Sequence, residues 1–319
     1  MRLRFKLFIS TAMILSRNPI NVLIALICAA LPGFAQHKPQ SAFLSRVGTT
    51  PAYVIRMFQD AGMSPKEHPL TKEEMKIVSD AFAVLPSRHQ KVLMQHLKSI
   101  SFLDNMPNTA LTAPLTAGGE DKQYHIAFRA GILPQTISEW VTEKERTCYS
   151  SGDSSITVSI DAGKLSAFTY VLLHEGTHVL DGSTGLISTD TLAGKTKQNT
   201  FTQNFARGIW EDIFTHQQPL ADSVLVKNHF RRGGRKFLPS EAAAVYKGLS
   251  KTSFVSLYST ASWHEDIAEL LSVYHLTEVL KQPFSIRVSQ KGKELFHYDP
   301  MQSPQVRQRL PILMSFYQT

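Results

Sequence analysis

Phe168-Thr169-Tyr170-Val171-Leu172-Leu173-His174-Glu175-Gly176-Thr177-His178-Val179-Leu180 is the stretch around which the rest of the sequence can be organised. Its apolar residues recur at helical spacing, with Phe168, Leu172 and Val179 on one flank and Leu173 and Leu180 on the other. The spacing predicts a buried helix over Leu165–Leu180 whose strongly polar stripe is the histidine face. On a helix, positions i and i+4 lie about 40° apart in azimuth and one turn apart along the axis, so His174 and His178 can reach one metal ion. That pairing suits Zn2+. Glu175 points away from both imidazoles, near enough to water at the metal to take its proton without ligating, which makes it the candidate general base. The plainer alternative is a pair of core histidines hydrogen-bonded to neighbours. Burying two imidazoles and a carboxylate without partners is costly, which favours the metal. Asp181-Gly182 predicts the end of the helix, with Gly182 as its stop and Asp181 placed to orient a ligand imidazole.

A catalytic zinc needs a third protein ligand. Thr184 stands six residues after His178 and Gln198 stands twenty after it, so neither short spacing supplies one. A later helix must, and Ser262-Trp263-His264-Glu265-Asp266-Ile267-Ala268-Glu269 is the best source. Glu265 and Glu269 share one face there, opposite Ile267, Leu270 and Leu271, so one carboxylate can bind zinc while the other orients an imidazole. Ser262-x-x-Glu265 also fits a capping box, in which Glu265 would serve only the helix start. Glu211 is a second source of a carboxylate. Tyr258 offers a phenol for a developing oxyanion, or is an ordinary half-buried aromatic.

The string His174-Glu175-Gly176-Thr177-His178 followed by Tyr258-x6-Glu265-Asp266-x-Ala268-Glu269 resembles the gluzincins, the HExxH-plus-Glu zinc metallopeptidases, and particularly their lethal-factor-like members. The resemblance implies that Glu265 is the third zinc ligand, that Glu269 supports the ligands from behind, and that Tyr258 polarises the scissile carbonyl. It implies an α+β, zincin-like fold: a small twisted sheet over the active-site helix and a mainly helical C-terminal half. It covers about 110 residues from the Ile156 strand to the helix at His264, with 86 residues between His178 and Glu265. The activity expected is peptide-bond hydrolysis on a peptide or protein substrate; a zinc-bearing binding or scaffold domain without turnover is the alternative.

Working outward, Ile156, Val158 and Ile160 alternate with Thr157, Ser159 and Asp161, which predicts a half-buried strand. That strand either joins a sheet on both sides or presents an edge to an extended peptide, and the resemblance favours the edge. Thr71-Lys72-Glu73-Glu74 predicts a capped helix, Arg88–Ile100 a second, and residues 203–215 and 240–249 further helical pieces. Residues 36–68, polar and rich in Ser, Thr, Pro and Gly apart from a short helix at Tyr53–Asp60, read as a loose lead-in to a catalytic domain over 69–319. The run from Lys227 to Lys236 reads as a solvated basic loop. Cys148 reads as a buried small residue, not a nucleophile.

At the N-terminus, a basic start is followed by an apolar run of 12 residues, Ile20–Leu31. Pro32-Gly33-Phe34-Ala35 then places small residues before a cut at Gln36, which predicts a signal peptide over 1–35. The run falls short of the roughly 20 residues that cross a bilayer. The expected location is periplasmic or secreted, with an uncleaved membrane anchor through Leu7–Leu15 as the alternative. The chain has 34 basic and 26 acidic residues, and removal of Arg2, Arg4, Lys6 and Arg17 with the signal lowers its formal charge from +8 to +4. That balance gives no support to nucleic-acid binding. A 43% apolar content excludes a disordered chain, and two cysteines exclude a disulfide framework.

Overall fold

Capping chemistry sets where the main helices begin. In the computed structural model, which describes residues 37–115, 122–152, 155–187, 191–192, 195–196, 198–217 and 224–317, Thr71 and Thr136 each form a reciprocal capping box with the Glu three residues on. The elements run α1 (His37–Leu44), α2 (Ala52–Asp60), β1 (Lys66–Glu67), α3 (Lys72–Ala83), α4 (Ser87–His96), β2 (Leu97–Asp104), β3 (Ala110–Pro114), β4 (Tyr124–Arg129), α5 (Ile137–Arg146) and β5 (Ile156–Asp161). They continue with α6 (Ala167–Thr184), the short hairpin β6 (Thr191–Leu192) and β7 (Lys195–Thr196), α7 (Thr200–Ala206), α8 (Ala242–Leu249), α9 (Trp263–Tyr274), β8 (Ser285–Gln290), β9 (Lys293–Tyr298) and α10 (Pro304–Arg307). The fold is a mixture of helices and small sheets.

One sheet has the order β1-β2-β4-β3, with β2 and β4 parallel and the outer pairs antiparallel. The other is the antiparallel β5-β8-β9. Three aromatic rings tie the first sheet to α6: Phe168 lies 5.5 Å from Phe102 and 4.8 Å from Phe128, centroid to centroid. α4 packs on the other side of α6, close enough that a Cβ on Gly176 would sit 3.4 Å from Leu93. α6 is thus walled in along its length, which explains its near-total burial.

Several expectations from the sequence need correction. The helix predicted over Arg88–Ile100 stops at His96, and Leu97–Asp104 is instead the central strand β2. Alternation of Ser99, Ile100, Ser101 and Phe102 suits a strand, and pairing with β4 overrides the helical spacing of Leu93 and Leu97. Residues from Pro39 onward belong to one compact unit, so 39–68 is part of the body and not a loose lead-in. Phe43 is fully buried, stacked on Phe82 at 4.1 Å. The sheet packed on α6 comes from residues 66–129, while β5 pairs with β8 near the C-terminus, so the C-terminal half is helical with an added hairpin. α6 continues to Thr184 and stops at Gly185, which takes the left-handed conformation at φ 62°. Gly182 has a different reason to be glycine: a Cβ there would fall 2.4 Å from the Tyr124 hydroxyl.

The signal peptide predicted over 1–35 lies outside the described residues. Among the described residues, no helix is long and apolar enough to cross a membrane.

Candidate metal centre

α6 and α9 cross so that their polar faces meet. His174 and His178 project from the middle of α6, and Glu265 projects from the first turn of α9. Their donor atoms form a tight triangle: His174 Nε2 to Glu265 Oε2 is 3.0 Å, His178 Nε2 to His174 Nε2 is 3.2 Å, and His178 Nε2 to Glu265 Oε2 is 3.5 Å. Ligands about 2.05 Å from a tetrahedral zinc stand about 3.3 Å from one another, so the residues fit the ion. This is the one group of three His, Cys, Asp or Glu donors found among the described residues.

Glu265 is free for this role because the helix start is satisfied by another group. The Ser262 hydroxyl accepts from the Glu265 backbone N–H at 3.3 Å, and no reciprocal carboxylate bond is made. The serine caps the helix and the carboxylate is spared. Glu211 is exposed, in a bend, and outside the donor group.

The centre is held in place by a charged surround. Glu269, 2% exposed, lies one turn after Glu265 and places Oε1 3.2 Å from His174 Nδ1 and 3.2 Å from Lys144 Nζ. Its Oε2 accepts from the Ser256 hydroxyl at 2.7 Å. Burial disfavours the Glu269 carboxylate, but Lys144, His174 and Ser256 outweigh it and hold the group down to about 2. Burial also disfavours protonation of His174, and Glu265 and Glu269 outweigh that to raise it to about 9. Glu265 is driven well below the usual carboxylate range by the two imidazoles despite its burial. A bound cation would take over the stabilisation that protons supply to this cluster.

Asp181 does not orient a ligand imidazole. Its Oδ2 lies 2.7 Å from His264 Nδ1 and its Oδ1 accepts from the Ile187 N–H at 2.6 Å. It therefore fastens α6 to the start of α9, which fixes the crossing without touching either ligand.

Above the triangle is a cleft of about 580 Å³ lined by Ala110, Trp140, Lys144, Glu175, Phe230 and Tyr258 among others. A larger hollow of about 760 Å³, against Phe205, Lys251 and Arg309, contains none of the donors, so chemistry and not size selects the smaller one. Glu175 accepts a 2.5 Å hydrogen bond from the Thr112 hydroxyl on β3. Tyr258 stacks on His174 at 5.8 Å between centroids and meets the edge of Phe230 at 5.1 Å. Burial, reinforced by Glu265, Glu175 and Glu269, pushes its phenol well above the ordinary range. The hydroxyl therefore keeps its proton and remains a donor.

The basic run keeps Lys227, Arg232, Arg235 and Lys236 exposed, as expected of a solvated loop, while its inward-turned residues place Phe230 in this wall. Asn228 is fully buried, Arg231 donates to the carbonyls of Thr260 and Phe214, and Phe230 is thereby set against Tyr258. Sequence reasoning also missed Thr112, Lys144 and Ser256. Helical spacing puts Trp140 and Lys144 on one face of α5, a signal that was present; nothing local marks Thr112 or Ser256. Cys148 is buried, and its thiol is pushed up by that burial. No protein-family model, curated protein or solved structure matches the chain.

Proposed function

We propose that the chain is a zinc-dependent metallopeptidase of the HExxH-plus-Glu type with a zincin-like fold, exported by its N-terminal segment. The observation that carries this reading is the donor triangle at 3.0–3.5 Å with a further carboxylate, Glu175, beside it and outside it. His174, His178 and Glu265 would hold the ion. Zinc, when bound, acidifies a coordinated water and polarises a carbonyl.

The chain's own groups account for the remaining steps. Glu175 takes the proton of the attacking water and passes it to the leaving amine, and the Thr112 hydroxyl fixes the orientation of its carboxylate. Tyr258 donates to the oxyanion of the tetrahedral intermediate. The substrate backbone lies along β3. Thr109 and Leu115 bond toward β4 and its extension, so by alternation the N–H and C=O groups of Ala110 and Thr112 face the open side of the sheet, where Ala110 lines the cleft.

Hydrolysis of a mixed peptide library by zinc-loaded protein tests the reading. Cleavage that a chelator abolishes and zinc restores is expected. Protein that holds zinc and cleaves no peptide would overturn it in favour of a zinc-bearing binding domain.

A further inference from the structure

We propose that Lys144 is a positioning residue that holds the His174 imidazole and the Tyr258 phenol in one geometry; the role rests on the metallopeptidase reading above. Lys144 reaches from α5 into the floor of the cleft, where its side chain is 17% exposed. Its ammonium lies 3.2 Å from Glu269 Oε1 and 3.7 Å from the centroid of the Tyr258 ring. The same Glu269 oxygen is 3.2 Å from His174 Nδ1. One cation thus touches the carboxylate behind a metal ligand and the face of the proposed oxyanion donor.

Both contacts have a physical reason to be needed. Glu269 is buried, and a buried carboxylate that loses its cation is drawn toward another partner or water, away from its 3.2 Å approach to His174 Nδ1. The charge balance points the same way. With both imidazoles neutral as ligands, Glu175, Glu265 and Glu269 carry three negative charges, which a divalent ion and Lys144 together neutralise. Without Lys144 one negative charge is left uncompensated beside the metal. On the other side, Tyr258 is confined by two rings and a charge: His174 on one face, Phe230 nearly perpendicular to it, and the Lys144 ammonium. Removing the ammonium frees the ring to turn, and the hydroxyl moves with it.

The test uses the full chain with Lys144→Met, Lys144→Arg, Glu269→Gln and the Lys144→Met/Glu269→Gln double variant, each checked for a wild-type unfolding temperature. Zinc affinity is measured by competition with a chromophoric chelator, and kcat and KM are measured on any peptide the wild type cleaves. Lys144→Met should weaken zinc about 10- to 100-fold, the usual cost of losing an outer partner of a ligand histidine. Lys144→Arg, which can both pair with the carboxylate and stack on the phenol, should restore most of the loss. The double variant should be no worse than the worse single one, because both act through the same oxygen. In turnover, kcat should fall while KM holds. Wild-type zinc affinity in Lys144→Met, equal damage from Met and Arg, or additive losses would each overturn the proposal. The zinc measurements need no substrate: a chain that cleaves nothing but loses zinc with Lys144→Met would sink the peptidase reading and the role at Tyr258, and keep only the hold on His174.

Discussion

β3 and β5 are both edge strands, yet only one of them reaches the candidate metal centre. β5 ends a few residues before α6 in the chain, but its outer side is closed. Thr142 of α5 accepts from the Ile160 N–H at 2.8 Å, and Arg146 donates to the Val158 carbonyl at 3.2 Å. β3 lies more than fifty residues before α6, and its Thr112 hydroxyl reaches Glu175. Its Ala110 and Thr112 backbone groups face away from β4. Nearness along the chain therefore says little about which edge lies free beside the candidate centre; what matters is which edge the helices leave open.

The largest expected effect lies on the open side. Glu175→Gln keeps the fold and the zinc but should lower kcat/KM by about 10²- to 10⁴-fold, the range for a general acid-base group. If Gln at 175 turns over at the wild-type rate, β3 is next to nothing catalytic. Tyr258→Phe removes one oxyanion donor and should cost about 10²- to 10³-fold in kcat, measured at saturating peptide.

α5 separates the two regions, and its buried Glu145 gives a prediction about stability. Glu145 accepts from the Tyr246 hydroxyl at 2.6 Å, and burial pushes it from 4.5 up to about 7. The folded state thus holds this proton more tightly than the unfolded chain. The group's contribution to stability is greatest below pH 4.5, declines as pH rises, and levels off above about 7. Over that window it amounts to about 3 kcal/mol. Denaturant unfolding of Glu145→Gln, which keeps an acceptor for Tyr246, should be flatter with pH and more stable than wild type at pH 8. An unchanged pH profile would contradict this.

A matched pair of smaller effects breaks the comparison most cleanly. Ala110→Pro removes an outward N–H from β3 while leaving its bonds to β4, and should lower kcat/KM about 10-fold at unchanged stability, since one charge-free hydrogen bond to substrate is lost. Thr142→Val strips the partner from β5 and should do the reverse: a loss of about 1–3 kcal/mol in stability with kcat/KM unaltered. Reversed outcomes would make β5 the substrate edge.

The same contrast explains how much the sequence disclosed. His174, Glu175 and His178 were legible because one helix carries them at a spacing that geometry constrains. Glu265 and Glu269 were legible for the same reason on α9. Thr112 was not, because its relation to Glu175 arises from the packing of Phe102 and Phe128 on Phe168, a long-range event with no local pattern. Leu97–Ile100 was misread because a helical spacing of apolar residues ran into a strand whose pairing partner lies 26 residues on. Asp181 was misassigned because the helix was expected to end beside it; with α6 carried to Thr184, the carboxylate points at His264 instead.

Metal analysis of the purified full chain tests the central claim most directly. Dialysed against excess zinc and then freed of loosely bound ion, wild-type protein should retain one zinc per chain. His174→Ala, His178→Ala and Glu265→Gln should each lose it, while Glu211→Gln should not. Folded wild-type protein that takes up no zinc, or a Glu265→Gln variant that holds it as tightly as wild type, would contradict the assignment.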